Sequence, residues 1–307
     1  MLIASLRPNV TLRWNLTGIT VAGTMGVCGQ TAAYLCSPHG LSFDPLSNAL
    51  YIADNSNHRI QKWVLGATYG TTVAGNGTRG SSPNQLSYPT HAIVDADGNV
   101  YVSDVMNHRI QLWPNGASSG VTFAGPDFPG SSDTLLLNPL YITRDSNSGA
   151  LYVTAGDRVI RWLPNDTKGT IVAGGNGPGT TPTQLYSASG LYFDSPSNSL
   201  YIGDSYAHII VRWPLGASTW TLVAGALTGM CGYPPAGLCM PSAITLDPMD
   251  NLYVADGNGR IQLFLAGSNS GTVIAMPSFS YGIALDNELN LYATEQYKHR
   301  VVKFARL

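Results

Sequence analysis

The sequence predicts an all-β fold, a six-bladed β-propeller, and three observations lead to this prediction. A Val-Ala-Gly triplet, or a degraded copy of it, recurs six times with a period near fifty residues. Each period holds four short runs of β-branched and aromatic residues separated by turn residues, which is typical of strands. No stretch has the apolar i, i+3, i+4, i+7 spacing of an amphipathic helix. The triplets end at Gly23, Gly75, Gly125, Gly174, Gly225 and Ala275.

The second period shows the four strands most clearly. We predict them over residues 91–95, 99–104, 109–113 and 121–125. The first two are separated by Asp97-Gly98, a strong hairpin signal. Six such units closed radially form a propeller, which leaves few exposed strand edges. An open solenoid is the alternative, but it would need atypical polar caps at both ends, and the sequence has none.

The count of strands predicts how the ring closes. The third-strand copies end at six aromatic residues, so six blades are already present. The sixth copy ends near Leu307 without a fourth strand of its own. We therefore expect the segment from Gly18 to Gly23 to complete the last blade, so that the propeller spans residues 18–307. The aromatic ends are Trp63, Trp113, Trp162, Trp213, Phe264 and Phe304.

Two segments carry a resemblance to a known family. "IADNSNHRIQKW" at residues 52–63 and "VSDVMNHRIQLW" at residues 102–113 resemble the NHL repeat, and six drifting copies extend the resemblance over nearly the whole chain. The resemblance implies a six-bladed propeller with a central channel. The Asp, His and Arg of this motif recur around the ring, whereas a catalytic site is built once. We interpret them as groups that hydrogen-bond within and between blades.

A surplus strand precedes the propeller, in an arm that we assign to residues 1–17. "NVTLRW" at residues 9–14 matches the third-strand pattern but has no vacancy to fill. It either packs as an irregular arm or adds to the outer edge of a neighbouring molecule, with Val10, Leu12 and Trp14 as its assembly residues.

Two cysteine pairs with seven intervening residues occupy the same place in the repeat, between a fourth strand and the next first strand. Their spacing differs from that of zinc-binding and redox pairs. The two junctions are two blades apart on a ring of six, so we predict pairing within each loop, as Cys28–Cys36 and Cys231–Cys239. Each pair ends three residues before a position at the channel mouth.

The mouth of the channel is the candidate binding site. The NHL-type amidating lyase holds a catalytic zinc through three histidines that precede first strands, and a zinc site of that type needs three protein ligands. Only His39, in "SPHG", matches here, so the sequence predicts no metal, no cofactor and no catalytic residue. The mouth positions either bind a small polar ligand or only line a water-filled channel. The candidates are His39, Thr90, Ser189, Ser242 and Tyr281, and Leu140 occupies the remaining position.

Composition and short motifs limit the expected classes of partner and indicate the cellular compartment. Charged residues make up 11% of the chain and the net charge is −2, so nucleic acid and anionic membranes are unexpected partners. No window is long and apolar enough to insert into a membrane. Paired cysteines and four N-linked glycosylation sequons favour a secreted protein. The sequons begin at Asn9, Asn15, Asn76 and Asn165.

We therefore expect a secreted, glycosylated and non-catalytic interaction or structural module. Its expected partners are proteins, including copies of itself assembled into an extracellular array or filament through the arm. The alternative is a divergent lyase or hydrolase that uses the channel mouth. A site of that kind would have to be built from the loops, because a fold shared by many activities does not define one.

Overall fold

Six antiparallel sheets of four strands each make up the fold in the computed structural model, which describes residues 12–125 and 136–307. Blades 1 to 3 comprise β2 (Pro38–Asp44), β3 (Ala49–Asp54), β4 (Arg59–Val64) and β5 (Thr71–Ala74); β6 (Pro89–Val94), β7 (Val100–Asp104), β8 (Arg109–Trp113) and β9 (Val121–Ala124); and β10 (Ile142–Arg144), β11 (Leu151–Ala155), β12 (Arg158–Trp162) and β13 (Thr170–Gly174).

Blades 4 to 6 repeat this order, with one strand borrowed from the start of the chain. They comprise β14 (Ala188–Asp194), β15 (Ser199–Asp204), β16 (Ile209–Pro214) and β17 (Thr221–Gly225); β18 (Ala243–Leu246), β19 (Leu252–Asp256), β20 (Arg260–Phe264) and β21 (Gly271–Ala275); and β22 (Ile283–Leu285), β23 (Leu291–Glu295), β24 (Arg300–Phe304) and β1 (Ile19–Gly23).

The ring closes as the strand count predicts. Strand β1 pairs antiparallel with β24 and becomes the outer strand of blade 6. The first strands contact one another in the order β2, β6, β10, β14, β18, β22 and back to β2, so they surround the channel. The helical residues in the described chain form three short 3-10 turns, Asn55–Asn57, Val105–Asn107 and Gln296–Lys298. No helix of residues 12–125 and 136–307 is long and apolar enough to cross a membrane.

The glycine of the Val-Ala-Gly triplet is required by a close backbone contact. Gly125 has φ +73°, and a Cβ atom there would lie 2.6 Å from the carbonyl oxygen of His108. An L side chain is strained at this positive φ, and the His108 carbonyl oxygen leaves no space for its Cβ atom. The alanine before it is buried in the blade, as Ala124 illustrates. The triplet thus marks where a fourth strand passes beneath the turn between strands 2 and 3.

The NHL-type histidines connect neighbouring blades. His58 ends the first 3-10 turn with φ +52°, and its Nδ1 atom accepts a hydrogen bond from the backbone N–H of Tyr88, just before β6. The same bond recurs at three other junctions. It joins His108 to Asn138, His208 to Met240, and His299 to Ser37. This confirms the structural interpretation of the histidines.

The aspartate and arginine of the motif hold the loop between blades. Asp54 is fully buried, accepts a 2.6 Å hydrogen bond from the Cys36 backbone N–H, and pairs with Arg59 Nε at 2.8 Å. Arg59 also donates to the carbonyl oxygens of Gln30, Thr31 and Tyr34 in the loop that precedes blade 1. Burial raises the pKa of the Asp54 carboxyl, and its hydrogen bonds and Arg59 oppose that shift. These charges stabilise a loop and are not arranged around a reacting group.

The structure corrects the interpretation of Trp14 as an assembly residue. Its side chain is 4% exposed, its Nε1 atom donates to the carbonyl oxygen of Leu289, and its ring meets Tyr253 edge-on at 5.6 Å. Trp14 therefore packs between blades 5 and 6 of its own chain, where its indole ring is buried. Leu12 packs partly buried against the same cluster. Val10 lies outside the described residues.

Candidate functional site

Hydrogen bonds at four of the six blade junctions form an interrupted circle around the mouth of the channel. Each bond runs from a side chain at the start of a first strand to a backbone carbonyl oxygen of the following blade. Four of the five predicted mouth residues take part or border this circle directly. The bonds are His39 Nδ1 to Thr90, Thr90 Oγ1 to Leu140, Ser189 Oγ to Pro241, and Ser242 Oγ to Ser280.

The junction between blade 6 and blade 1 has ring stacking in place of a hydrogen bond. Tyr281 of blade 6 is stacked on His39 of blade 1, with ring centroids 4.3 Å apart and planes 11° from parallel. Phe279 meets the Tyr281 ring edge-on at 4.9 Å. The structure thus brings His39 and Tyr281 together, and it commits the hydroxyl hydrogens of Thr90, Ser189 and Ser242 to the backbone.

Below the mouth, two large side chains line the channel. The residue that follows the mouth position is Gly40, Gly190 or Gly282 in three blades, where a Cβ atom would press on the next blade. In blades 2 and 3 it is His91 and Tyr141, whose rings lie 4.6 Å apart. His91 is one residue out of register with His39, as the sequence predicts, and so it points into the channel below the mouth.

Two cavities lie along the channel, and Tyr141 is in the wall of both. The upper cavity has a volume of about 130 Å³. The lower cavity has a volume of about 230 Å³ and is lined by first strands of all six blades, together with His91. The walls of the upper cavity are His39, Leu140, Tyr141, Ser189, Ser205, Met240, Ser242, Phe279 and Tyr281.

The titratable groups of the channel are neutral at physiological pH. Desolvation lowers the pKa of His39 to about 4, and the hydrogen bond to Thr90 only partly offsets it. Desolvation likewise lowers the pKa of His91 to about 4. Burial raises the pKa of the Tyr141 phenol. The hydroxyl of Tyr141 and the Nδ1 atom of His91 are buried and, within the described residues, have no hydrogen-bond partner.

The two cysteine pairs form the disulfides expected from the sequence, Cys28–Cys36 and Cys231–Cys239. Both lie in loops that enter first strands at the channel mouth. Cys239 immediately precedes Met240, which lines the upper cavity. The disulfides therefore restrain the two loops just before their chains reach the channel mouth.

One group of metal-ligating residue types comes together among the described residues. The ligand atoms of His208, Cys231 and Cys239 lie within 4.8 Å of one another. The two sulfur atoms are joined in a disulfide, whereas metals bind cysteine as the thiolate. His208 Nδ1 already accepts the Met240 N–H. The group therefore consists of the Cys231–Cys239 disulfide and the neighbouring hydrogen bond between His208 and Met240.

The described glycosylation sequons are accessible at the surface. Asn15, Asn76 and Asn165 are all exposed. The side-chain oxygens of Asn15 and Asn76 each accept a backbone N–H two residues further along, from Thr17 and Thr78. Asn9 lies outside the described residues.

Sequence reasoning missed several residues that shape the site. Tyr141, Ser205, Met240 and Phe279 line the upper cavity but do not stand at the aligned mouth positions. Tyr141 could have been found by comparing the residues that follow the mouth positions, because these residues are small in most blades and Tyr141 is large. Ser205 and Met240 come from a turn and a loop, whose paths are not determined by the repeat.

The fold and the repeated turns define a six-bladed β-propeller. The NHL repeat model matches residues 35–63, which cover the first three strands of blade 1. No curated protein matches the sequence.

Solved structures with the same fold span several functions. A Bacteroides thetaiotaomicron protein of unknown function has a TM-score of 0.72 and 14% identity over 96% of this chain and 76% of that chain. A gluconolactonase from Xanthomonas campestris has a TM-score of 0.67 and 12% identity over 95% and 98%. A chain of a nidogen–laminin complex has a TM-score of 0.63 and 21% identity over 87% and 96%. At these identities the likeness establishes the fold alone.

Proposed function

We propose that this chain is a secreted, glycosylated interaction module without catalytic activity of its own. The observation that carries the proposal is the circle of bonds at the mouth. The hydroxyl groups of Thr90, Ser189 and Ser242 each donate to backbone carbonyl oxygens, so they hold blades together and are not free to act on a substrate. Two stapled loops and exposed sequons support an extracellular location.

The loop face around the mouth supports a role in protein contact. Its exposed side chains include Met and Tyr, residue types that serve adaptable and amphipathic contacts. Met230, Tyr233 and Tyr297 are each more than two-thirds exposed there. A chain with a similar fold occurs in a crystal structure of a nidogen–laminin complex, and this likeness supports the proposed role.

The test of location and glycosylation is production of the chain behind a secretory leader in eukaryotic cells. We expect secreted protein whose mass falls on treatment with an N-glycosidase, and one glycan lost in each of Asn15→Gln, Asn76→Gln and Asn165→Gln. Retention of unglycosylated protein inside the cell, with the disulfides unformed, would contradict the proposal.

Copies of the same chain are among the proposed partners. Trp14 anchors the start of the described chain beside blade 6, whose outer strand β1 has one unpaired edge. The part of the arm (residues 1–17) that precedes Leu12 lies outside the described residues, and we propose that it adds to the edge of a neighbouring molecule. The test compares the full chain with a chain that begins at Leu12 and keeps Trp14. We expect assemblies only for the full chain, and identical monomers by sedimentation would overturn self-association.

A second candidate function is a divergent lyase or hydrolase at the channel mouth. The observation in its favour is that His39, His91 and Tyr141 meet in a buried channel. Against it, imidazoles with a pKa of about 4 are weak bases at neutral pH, where an efficient general base has a pKa near the working pH. Turnover of lactones or esters that is abolished by His39→Gln, or stoichiometric zinc in the purified protein, would favour the enzyme.

A further inference from the structure

The upper cavity has the size of a single six-membered ring. Its volume is about 130 Å³, and an engineered apolar protein cavity on the order of 150 Å³ binds benzene. The cavity opens at the mouth, where Met240 is 41% exposed. Its walls bring together the rings of His39, Tyr141, Phe279 and Tyr281.

The wall contains no charged side chain. His39 is neutral because desolvation lowers its pKa to about 4. The three serine hydroxyls in the wall are also engaged, since Ser205 donates to the same Pro241 carbonyl oxygen as Ser189, and Ser242 donates to Ser280. A charged ligand would lose its hydration without gaining a counter-charge, which is costly. An uncharged ligand with an aromatic ring fits this lining.

One polar group in the wall is without a partner. Tyr141 is only 5% exposed, and its buried hydroxyl makes no hydrogen bond among the described residues. Buried hydroxyls are normally satisfied, and leaving one unpaired costs about 1–3 kcal/mol. A ligand that brings one hydroxyl with its ring would satisfy this group.

We propose that the upper cavity binds one uncharged phenol ring, supplied by a tyrosine side chain on the surface of a protein partner. The source follows from the rim, which we define as Tyr206, Met240 and Tyr297. All three side chains are exposed beside the cavity, and an apolar rim around a deep pocket is the arrangement of an interface with one central anchor residue. This inference rests on the proposed interaction function and names the chemistry of the anchor.

The disulfide next to the site fits this role. Cys239 is bonded to Cys231 and directly precedes Met240, so one wall of the cavity is attached to a stapled loop. His39 follows Cys36 by three residues, so a second stapled loop enters the cavity wall two blades away. A pocket held in shape before binding loses less conformational freedom on binding.

The test uses p-cresol, the side-chain analogue of tyrosine, with the full-length protein and ligand-observed NMR. We expect p-cresol to bind with a Kd on the order of 1 mM, toluene to bind at least threefold more weakly, and benzoate and benzylamine not to bind. Equal binding of toluene would remove the role of the hydroxyl, and binding of benzoate would overturn the uncharged-ligand proposal.

Variants locate the site. Leu140→Phe adds a ring to the cavity wall and is expected to weaken p-cresol binding at least tenfold, while Leu46→Phe, on an exposed hairpin turn, leaves it unchanged. If Leu140→Phe does not fold, Tyr141→Phe serves instead, because it removes only the unpaired hydroxyl and is expected to make p-cresol and toluene bind equally. Unchanged p-cresol binding in a folded Leu140→Phe variant would place the ligand elsewhere.

A last comparison separates a partner's side chain from a free phenol. N-acetyl-tyrosine-N-methylamide carries the same ring with a peptide backbone on both sides. We expect it to bind at least as tightly as p-cresol, because the backbone reaches the exposed rim. If p-cresol binds and the capped tyrosine does not, the cavity takes a free phenol and the docking proposal fails. Neither binding result depends on secretion or glycosylation. Failure of the docking proposal is therefore distinguishable from failure of the proposed function.

Discussion

Tyr281 and His39 are stacked across the junction between blade 6 and blade 1, with ring centroids 4.3 Å apart. The stack joins blade 1 to blade 6, the blade within which the two ends of the chain meet as β1 and β24. The stack is therefore part of the closure of the ring at the channel mouth.

Tyr281→Ala is expected to lower the free energy of unfolding by about 2 kcal/mol, from the lost aromatic contact and lost burial. Tyr297→Ala is the matched control, since Tyr297 is 71% exposed, and its effect is expected to stay within about 0.5 kcal/mol. The measurement is urea-induced unfolding of both variants. Equal destabilisation by the two would mean that the stack does not hold the junction.

The buried histidines predict acid sensitivity. A pKa lowered to about 4 in His91 means that the folded state favours the neutral ring, while the unfolded chain titrates near 6.5. Its contribution is complete above pH 6.5 and is lost as the pH falls from 6.5 towards 4. The loss amounts to as much as about 3 kcal/mol, at 1.36 kcal/mol for each pKa unit.

The measurement compares urea midpoints at pH 7 and pH 4.5 for the natural protein and His91→Phe. We expect the variant to lose less stability in acid. The difference between the proteins cancels the opposite contribution of Asp54 and Asp104, whose raised pKa values favour the folded state at low pH. Titration of the His91 ring near pH 6.5 by NMR would contradict the prediction.

The buried ion pair of blade 1 predicts a large difference between two cation substitutions. Arg59→Met leaves the Asp54 carboxylate buried without its cation and removes three bonds to loop carbonyl oxygens, so we expect a loss of about 3–5 kcal/mol. Lys298→Met removes a half-exposed partner of Glu295 and is expected to cost less than about 1 kcal/mol. Similar unfolding midpoints for the two variants would show that Asp54 is satisfied without Arg59.

The disulfides predict two separable losses of stability. Closing a loop with a sequence separation of 8 contributes roughly 2–3 kcal/mol in the chain-entropy model. We expect Cys28→Ala with Cys36→Ala, and separately Cys231→Ala with Cys239→Ala, to lose about this much. Peptide mapping without reduction checks the pairing, and a peptide that joins Cys28 to Cys231 or Cys239 would show that the pairing is wrong.

Much of the fold was predictable because the repeat itself encodes it. The triplet glycine, with the steric demand seen at Gly125, occurs in five blades, and the aromatic residue that ends the third strand occurs in all six, so both appear in the sequence at a fixed period. The disulfide pairing followed from the position of each loop in the ring. The borrowed strand β1 followed from counting.

The site was predictable only in part, because its chemistry depends on side-chain direction. The sequence placed His39 and Ser242 at the mouth, yet it gave no indication that their polar atoms would bond to the next blade. Trp14 matched a third strand and was expected to lie in an arm. It is buried instead, because a gap between blades 5 and 6 accepts an indole ring.

Leu140 interrupts the circle at the mouth, since it has no polar side-chain atom, and blade 3 has Asp157 where four other blades carry the linking histidine. The junction between blades 3 and 4 therefore lacks both recurring side-chain links, although the Ala188 N–H still donates to the Gly156 carbonyl oxygen. Under mechanical load, or during brief opening fluctuations, the ring should part here first. The closure of the ring in blade 6, by contrast, is held by the antiparallel pairing of β1 with β24.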